Sequence, residues 1–303
     1  MKTIMKLIYT AFAGVLFTIG AVTAQGAAGD LFASINGLPP HNSGGFIYQY
    51  RPNGMQLTFA SGLSRPRGVA FNHRSGNLFV ATNTCSDVTG KCRVSIVKIT
   101  SDGMQSTVGT LNGDLFAEGV AYDRASNFFV LASDNTDPNL ASTIYKFTPN
   151  GVQSTFGSLP MFAFGLAFDS AGNLFAASGD EASVPTIYKF TPDGTRTVFV
   201  HPSLTPADLA FDRFGNLFGS TEAAPPNDMI LKFTPDGVES TFATGLNNPR
   251  GLAFDSGGNL FVAEIPADIS GDILRFTPDG SRTVFAVVPG GGNSGPEFLA
   301  FQH

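Results

Sequence analysis

Charge is scarce in this sequence, cysteine is scarcer, and helical patterning is missing. Charged residues make up 14% of 303, with a net charge of −6 and no run of Lys or Arg. Phosphate backbones need a basic patch, so nucleic acid is excluded as a partner. The only cysteines are Cys85 and Cys92, and no histidine stands near them with zinc-site spacing. In an oxidising compartment they pair as a disulfide pinning the loop-like segment Cys-Ser-Asp-Val-Thr-Gly-Lys-Cys. The four histidines, His41, His73, His201 and His303, are scattered. His73 falls in a short turn and should be solvated, while His41 and His201 fall in variable loops. There is no Gly-x-Ser-x-Gly elbow and no Gly-Lys-Ser phosphate loop. Gly290-x-Gly292-x-x-Gly295 spells the dinucleotide fingerprint, but it leads into a strand rather than a helix and reads as a chance match. No segment carries helical periodicity for long enough to define a helical domain.

The N-terminus and the composition carry positive signals. Lys2 and Lys6 precede an uncharged, mostly apolar stretch from Leu7 to Val22. Val22-Thr23-Ala24 then offers the small residues a signal peptidase reads, with Gln25 as the new N-terminus. A membrane span needs about 20 apolar residues, so the segment reads as a cleaved signal rather than an anchor. The absence of a nearby Cys argues against lipid anchoring. Residues 1–24 are thus expected to be a signal peptide and the mature protein secreted or periplasmic, meeting a membrane only during export. The 35 glycines and 29 phenylalanines suit tightly turned sheets covered on both faces.

A repeat organises the remainder. Phe147-Thr-Pro-Asn-Gly151 recurs at Phe190–Gly194, Phe233–Gly237 and Phe276–Gly280, with looser copies at Tyr50–Gly54 and Ile99–Gly103. The six glycines are 49, 48, 43, 43 and 43 residues apart. Gly172-Asn-Leu-Phe175 and Gly165-Leu-Ala-Phe168 recur in the same phase. Each repeat reads as four short strands joined by hairpin turns, which is the signature of propeller blades. The chain enters at strand two (Asp30-Leu-Phe-Ala) and finishes on a lone strand one (Phe298-Leu-Ala-Phe301). The expectation is an all-β six-bladed propeller over residues 29–303. Its C-terminal strand joins the N-terminal strands in one shared blade, which leaves no free edge between first and last blades.

These phrases resemble the NHL-repeat propellers and the related SMP-30/gluconolactonase superfamily over nearly all of the mature chain. The resemblance implies six blades. It implies little about function, since such propellers include lactonases, lyases and binding modules.

Candidate binding residues follow from the blade plan. The variable connections all lie on one face, opposite the short turns, and form the expected binding surface for a small molecule or a protein. Strand-two-to-three loops there carry Asp87, Asp134, Asp137, Asp180, Glu181, Glu222, Asp228, Glu264, Asp268 and Asp272, against Lys91 and Arg93. They either attract a cationic ligand or are simply solvated. The residue before each innermost strand should face the axial mouth. In blade order these are Arg67, Glu118, Phe164, Ala207 with Asp208 next, Arg250 and Glu297. Arg250, Glu297, Arg67 and Glu118 alternate in sign around the ring, as an ion-paired chain or a polar funnel floor would.

In SMP-30-like lactonases, carboxylates and amides of this column hold a divalent metal. By that resemblance Glu118 and Glu297 are metal candidates for calcium or magnesium, with Asp208 and Glu264 as outlying donors. Phe164 and Ala207 offer no ligand, and Arg67 and Arg250 bring positive charge to the same place. Three functions stay open at this point: an exported non-catalytic binding scaffold, a metal-dependent hydrolase, lactonase or lyase, and a structural envelope protein. The phenylalanines, recurring at fixed blade positions, read as core between sheets.

Overall fold

Short apolar segments, cut by Gly-Asn and Pro-Asp-Gly turns, give twenty-four strands among the described residues of a computed structural model. It describes residues 29–36, 44–137, 139–179, 182–221, 228–265, 271–288 and 295–302. The expected signal segment 1–24, His41, His303, Asp180, Glu181, Glu222, Asp268, Gly290 and Gly292 lie outside the described residues.

The chain opens with β1 (Leu31–Ile35), β2 (Gly45–Tyr50) and β3 (Gln56–Leu63). Blade 1 follows as β4 (Pro66–Phe71), β5 (Leu78–Cys85), β6 (Cys92–Ile99) and β7 (Gln105–Thr110). Blade 2 is β8 (Leu115–Tyr122), β9 (Phe128–Asp134), β10 (Ser142–Phe147) and β11 (Gln153–Leu159). Blade 3 is β12 (Ala163–Phe168), β13 (Leu174–Gly179), β14 (Pro185–Phe190) and β15 (Arg196–Val200). Blade 4 is β16 (Pro206–Phe211), β17 (Leu217–Thr221), β18 (Met229–Phe233) and β19 (Glu239–Thr244). Blade 5 is β20 (Pro249–Phe254), β21 (Leu260–Glu264), β22 (Asp272–Phe276) and β23 (Arg282–Val287). The last strand, β24 (Pro296–Phe301), pairs antiparallel with β1, so blade 6 has the order β24-β1-β2-β3. The expected closure by a shared blade is therefore the observed one.

Apolar clusters fill the gaps between successive blades, and the repeated phenylalanines form their centres. Phe129 of β9, for example, meets Phe156 and Phe168 edge-on, with both centroids at 5.0 Å. Such edge-to-face pairs add to the area term. Glycine sets how near the inner strands of neighbouring blades come to one another. A Cβ on Gly119 would lie 2.5 Å from the Phe164 carbonyl oxygen, and one on Gly251 would lie 2.6 Å from Phe298 Cα.

Cys85 and Cys92 form the disulfide. They are cross-strand partners closing the β5–β6 ladder, so strands reach the bridge and only the six residues between them form the turn. The sequence reading placed both in a loop; pairing extends these two strands to the full length of the bridge. Among the described residues, no helix is long and apolar enough to cross a membrane.

Candidate functional site

The axial column lies inside the innermost strands rather than just before them. Each inner strand carries one extra residue relative to its neighbour at this point. In blade 1, Pro66 faces Thr82 and Val69 faces Val80, three steps against two. The same offset occurs in β8, β12, β16, β20 and β24. A bulge of this kind bends the strand and re-aims its side chains. Six bulges at one level explain why Arg67, Glu118, Phe164, Ala207, Arg250 and Glu297 form one tier.

Three members of the tier form a clasp. Arg67 donates through Nε to Glu118 Oε2 at 2.9 Å, and its Nη2 bonds the same oxygen. Arg67 Nη1 lies 3.0 Å from Glu297 Oε2. Asn36 Nδ2 donates to the other Glu297 oxygen at 2.7 Å. The guanidinium carbon sits 5.6 Å from the Phe116 ring centroid and 5.7 Å from that of Phe298. Blades 6, 1 and 2 are thus tied through one cation. Glu118 and Glu297 are only 3% and 5% exposed. Burial pushes the Glu118 carboxyl above its ordinary range; Arg67 and, more weakly, Arg250 oppose the shift, while Glu297 adds to it. Arg250 is half-buried in the same tier and acts on Glu118 through its charge.

Asp208 and Glu264 answer to different neighbours. Asp208 stands where Gly68, Gly119, Gly165 and Gly251 stand in four other blades. Its carboxylate enters the space between blades 4 and 5 and accepts the Leu252 N–H at 2.9 Å. Burial pushes it up to about 7, opposed by the Leu252 and Leu209 amides. Ser220 completes that junction: its Oγ accepts the Asp208 N–H at 3.1 Å and donates to the Arg250 carbonyl at 2.6 Å. Glu264 ends β21 and accepts the Asn247 N–H at 2.9 Å, while buried Asp228 accepts the Asn248 N–H at 2.8 Å. Burial raises the Glu264 carboxyl, with the Asn247 amide opposing. Two of the acidic loop residues therefore hold a backbone turn, whereas Asp87 is exposed to solvent. His73 is exposed as expected, and exposed His201 meets the Thr186 hydroxyl at 3.0 Å.

Sequence reasoning missed Asn36, Asn83 and the two rings on Arg67. Asn83 bonds both backbone groups of Ala117, donating to its carbonyl at 2.9 Å and accepting from its amide at 2.8 Å. Phe298 was visible as a departure, because it replaces the repeated glycine in blade 6.

The donor set bears on a metal. Arg67 stands where a cation between Glu118 and Glu297 would stand. Among the described residues, no three His, Cys, Asp or Glu side chains converge closely enough to hold a metal ion. The column as built does not fit a divalent cation.

No protein-family profile matches the sequence, and no curated protein does. Solved structures do. TolB from Acinetobacter baumannii superposes with a TM-score of 0.68 at 13% identity, over 90% of this chain and 66% of that one, so this chain spans just under two thirds of its length. A gluconolactonase from Xanthomonas campestris gives 0.58 at 15% identity, over 89% and 90% of the two chains. A catalytically inactive virginiamycin B lyase from Staphylococcus aureus, with quinupristin, gives 0.54 at 15%, over 89% and 78%. At these identities the likeness establishes the fold, six blades in a ring.

Proposed function

We propose that this chain is an exported, non-catalytic propeller that binds a small molecule or a protein at its variable-loop face and axial mouth. One observation carries the reading. The two column carboxylates that a lactonase-like centre would use are both engaged by Arg67, whose guanidinium occupies the space between them. What the mouth then offers a ligand is shape and half-exposed side chains, Phe164 and Arg250 among them. The Cys85–Cys92 disulfide and the apolar N-terminal stretch support export.

The test is thermal unfolding of the wild type with and without millimolar calcium or magnesium, repeated for Glu118→Gln and Glu297→Gln. A site-bound metal raises the midpoint by mass action, and the substitutions abolish the rise. The expected result is no metal-dependent rise in any form, and a lower midpoint in both variants. A metal-dependent rise lost in Glu118→Gln, or lactone hydrolysis lost with it, overturns the proposal.

A further inference from the structure

Blade 1 breaks the aromatic pattern that the other five keep. In those five, a strand-four phenylalanine meets the strand-two phenylalanine of its own blade edge-on. The pairs are Phe32–Phe59, Phe129–Phe156, Phe175–Phe199, Phe218–Phe242 and Phe261–Phe285. Their centroids are 4.9 to 5.1 Å apart and their planes 80° to 87° apart. In blade 1 the strand-two ring is Phe79, and the strand-four residue is Val108. Val108 is 43% exposed and cannot cap the ring.

The missing ring leaves a cavity of about 310 Å³ between blades 1 and 2. It opens among the short turns, on the side away from the variable loops. Phe79, Tyr122, Phe128 and Phe147 line it with Val108, and Lys98 is the single charged residue of the lining. Two further departures shape it. Phe128 stands where the other five blades have Leu, and Tyr122 where they have Phe. Phe79 is tilted against Phe128 at 5.5 Å and meets Tyr122 edge-on at 5.1 Å.

Lys98 also departs from its counterparts. Lys146, Lys189 and Lys232 lie over the strand-two rings of their own blades at 5.6, 5.6 and 5.4 Å. Lys98 is opposite Phe79 in the same register, yet no such ring contact is present for it among the described residues. The cavity therefore presents flat apolar walls with one ammonium beside them. Pockets that bind small molecules have this composition, an apolar lining with few placed polar groups, and start at about this size.

We propose that this cavity binds a small planar aromatic monocarboxylate. The ring lies against Phe79, Tyr122 and Phe128 in the space that a phenylalanine fills in the other blades. The carboxylate meets the Lys98 ammonium.

The probe is 2-naphthoate, with 2-naphthamide as its neutral counterpart. The chain has no tryptophan, so naphthalene fluorescence reads binding directly. The wild type should bind the acid saturably and prefer it to the amide. Val108→Phe restores the pattern of the other blades; it should lose the acid at least tenfold and raise the unfolding midpoint. Lys98→Gln should weaken the acid about tenfold, as loss of a charge-assisted bond does, and leave the amide unchanged. Absent wild-type binding, undiminished binding by Val108→Phe, or equal affinity for acid and amide overturns the proposal. Should Val108→Phe fail to fold, Lys98→Gln and the acid–amide comparison decide it. Metal titrations at the axial mouth are independent of all these readouts.

Discussion

Arg67→Met takes away the guanidinium that stands between two buried carboxylates. Glu118 loses the donors at Nε and Nη2, and Glu297 loses the charge at 3.0 Å, while both stay out of water. Removing one partner of a buried ion pair costs about 3–5 kcal/mol, because the charge left behind is uncompensated. A domain of this size shifts by about 2 °C per kcal/mol, so the midpoint should fall by about 6–10 °C at pH 8. The loss should depend on pH. The folded-state pKa of Glu118 is already above its unfolded value of 4.5, with burial the main cause and Arg67 opposing it. A carboxyl raised in this way favours the folded state fully below the unfolded pKa and loses that contribution as pH rises through the folded one. Without Arg67 the folded value climbs further. The gap between variant and wild type should therefore be small at pH 4 and full at pH 8. Circular dichroism melts across that range measure it. Because a buried ion triad is often replaceable by apolar residues, Arg67→Met/Glu118→Leu/Glu297→Leu should recover most of the loss. A gap that is constant with pH, or smaller than about 1 kcal/mol at pH 8, would refute the clasp as an energetic unit.

Asp208→Asn keeps an acceptor for the Leu252 amide and removes the buried charge. Its raised pKa, about 7, means that folding is favoured below the unfolded value and that this contribution is lost as pH rises through 7. The variant should match the wild type at pH 5 and melt several degrees higher at pH 8.5; a lower midpoint at pH 8.5 would contradict the assignment. Ending the chain before Glu297 removes most of β24 and its pairing with β1. That form should lose its cooperative transition and its resistance to proteolysis, and a truncated protein that melts like the wild type would disprove ring closure.

The number of blades, the strand order and the shared blade were all legible in the sequence, because the turns are chemically explicit. Gly151, Gly194, Gly237 and Gly280 close the Pro-Asn-Gly and Pro-Asp-Gly corners at φ of 80° to 88°, a region that other residues rarely enter, so the phrase cannot drift. The axial tier was legible by position, and the alternation of sign foretold the pairing of Arg67 with Glu118 and Glu297. The bulge that sets the direction of each side chain was not, because a bulge leaves no residue signature of its own. Asp208 was named beside Ala207 as an outlying donor, but its role depended on the Leu252 amide, 44 residues away. Val108 was invisible while the phenylalanines were counted as one core. It became informative only when each ring could be matched to its counterpart in the next blade.

Sharing a blade between distant segments also dictates an order of events. The Phe298 amide meets Ser34 across 264 residues of sequence. β1 therefore emerges from the ribosome, and from any export channel, long before its inner neighbour exists. Throughout that interval it presents an apolar edge with unpaired amides, and a second copy of β24 could satisfy that edge as well as the chain's own. Non-local pairing is slow to form, so the vulnerable period is long. The same joint that leaves the finished ring without an open seam makes the newborn chain prone to exchange strands with its siblings, and crowding during synthesis or refolding should favour closed dimers that trade this one strand.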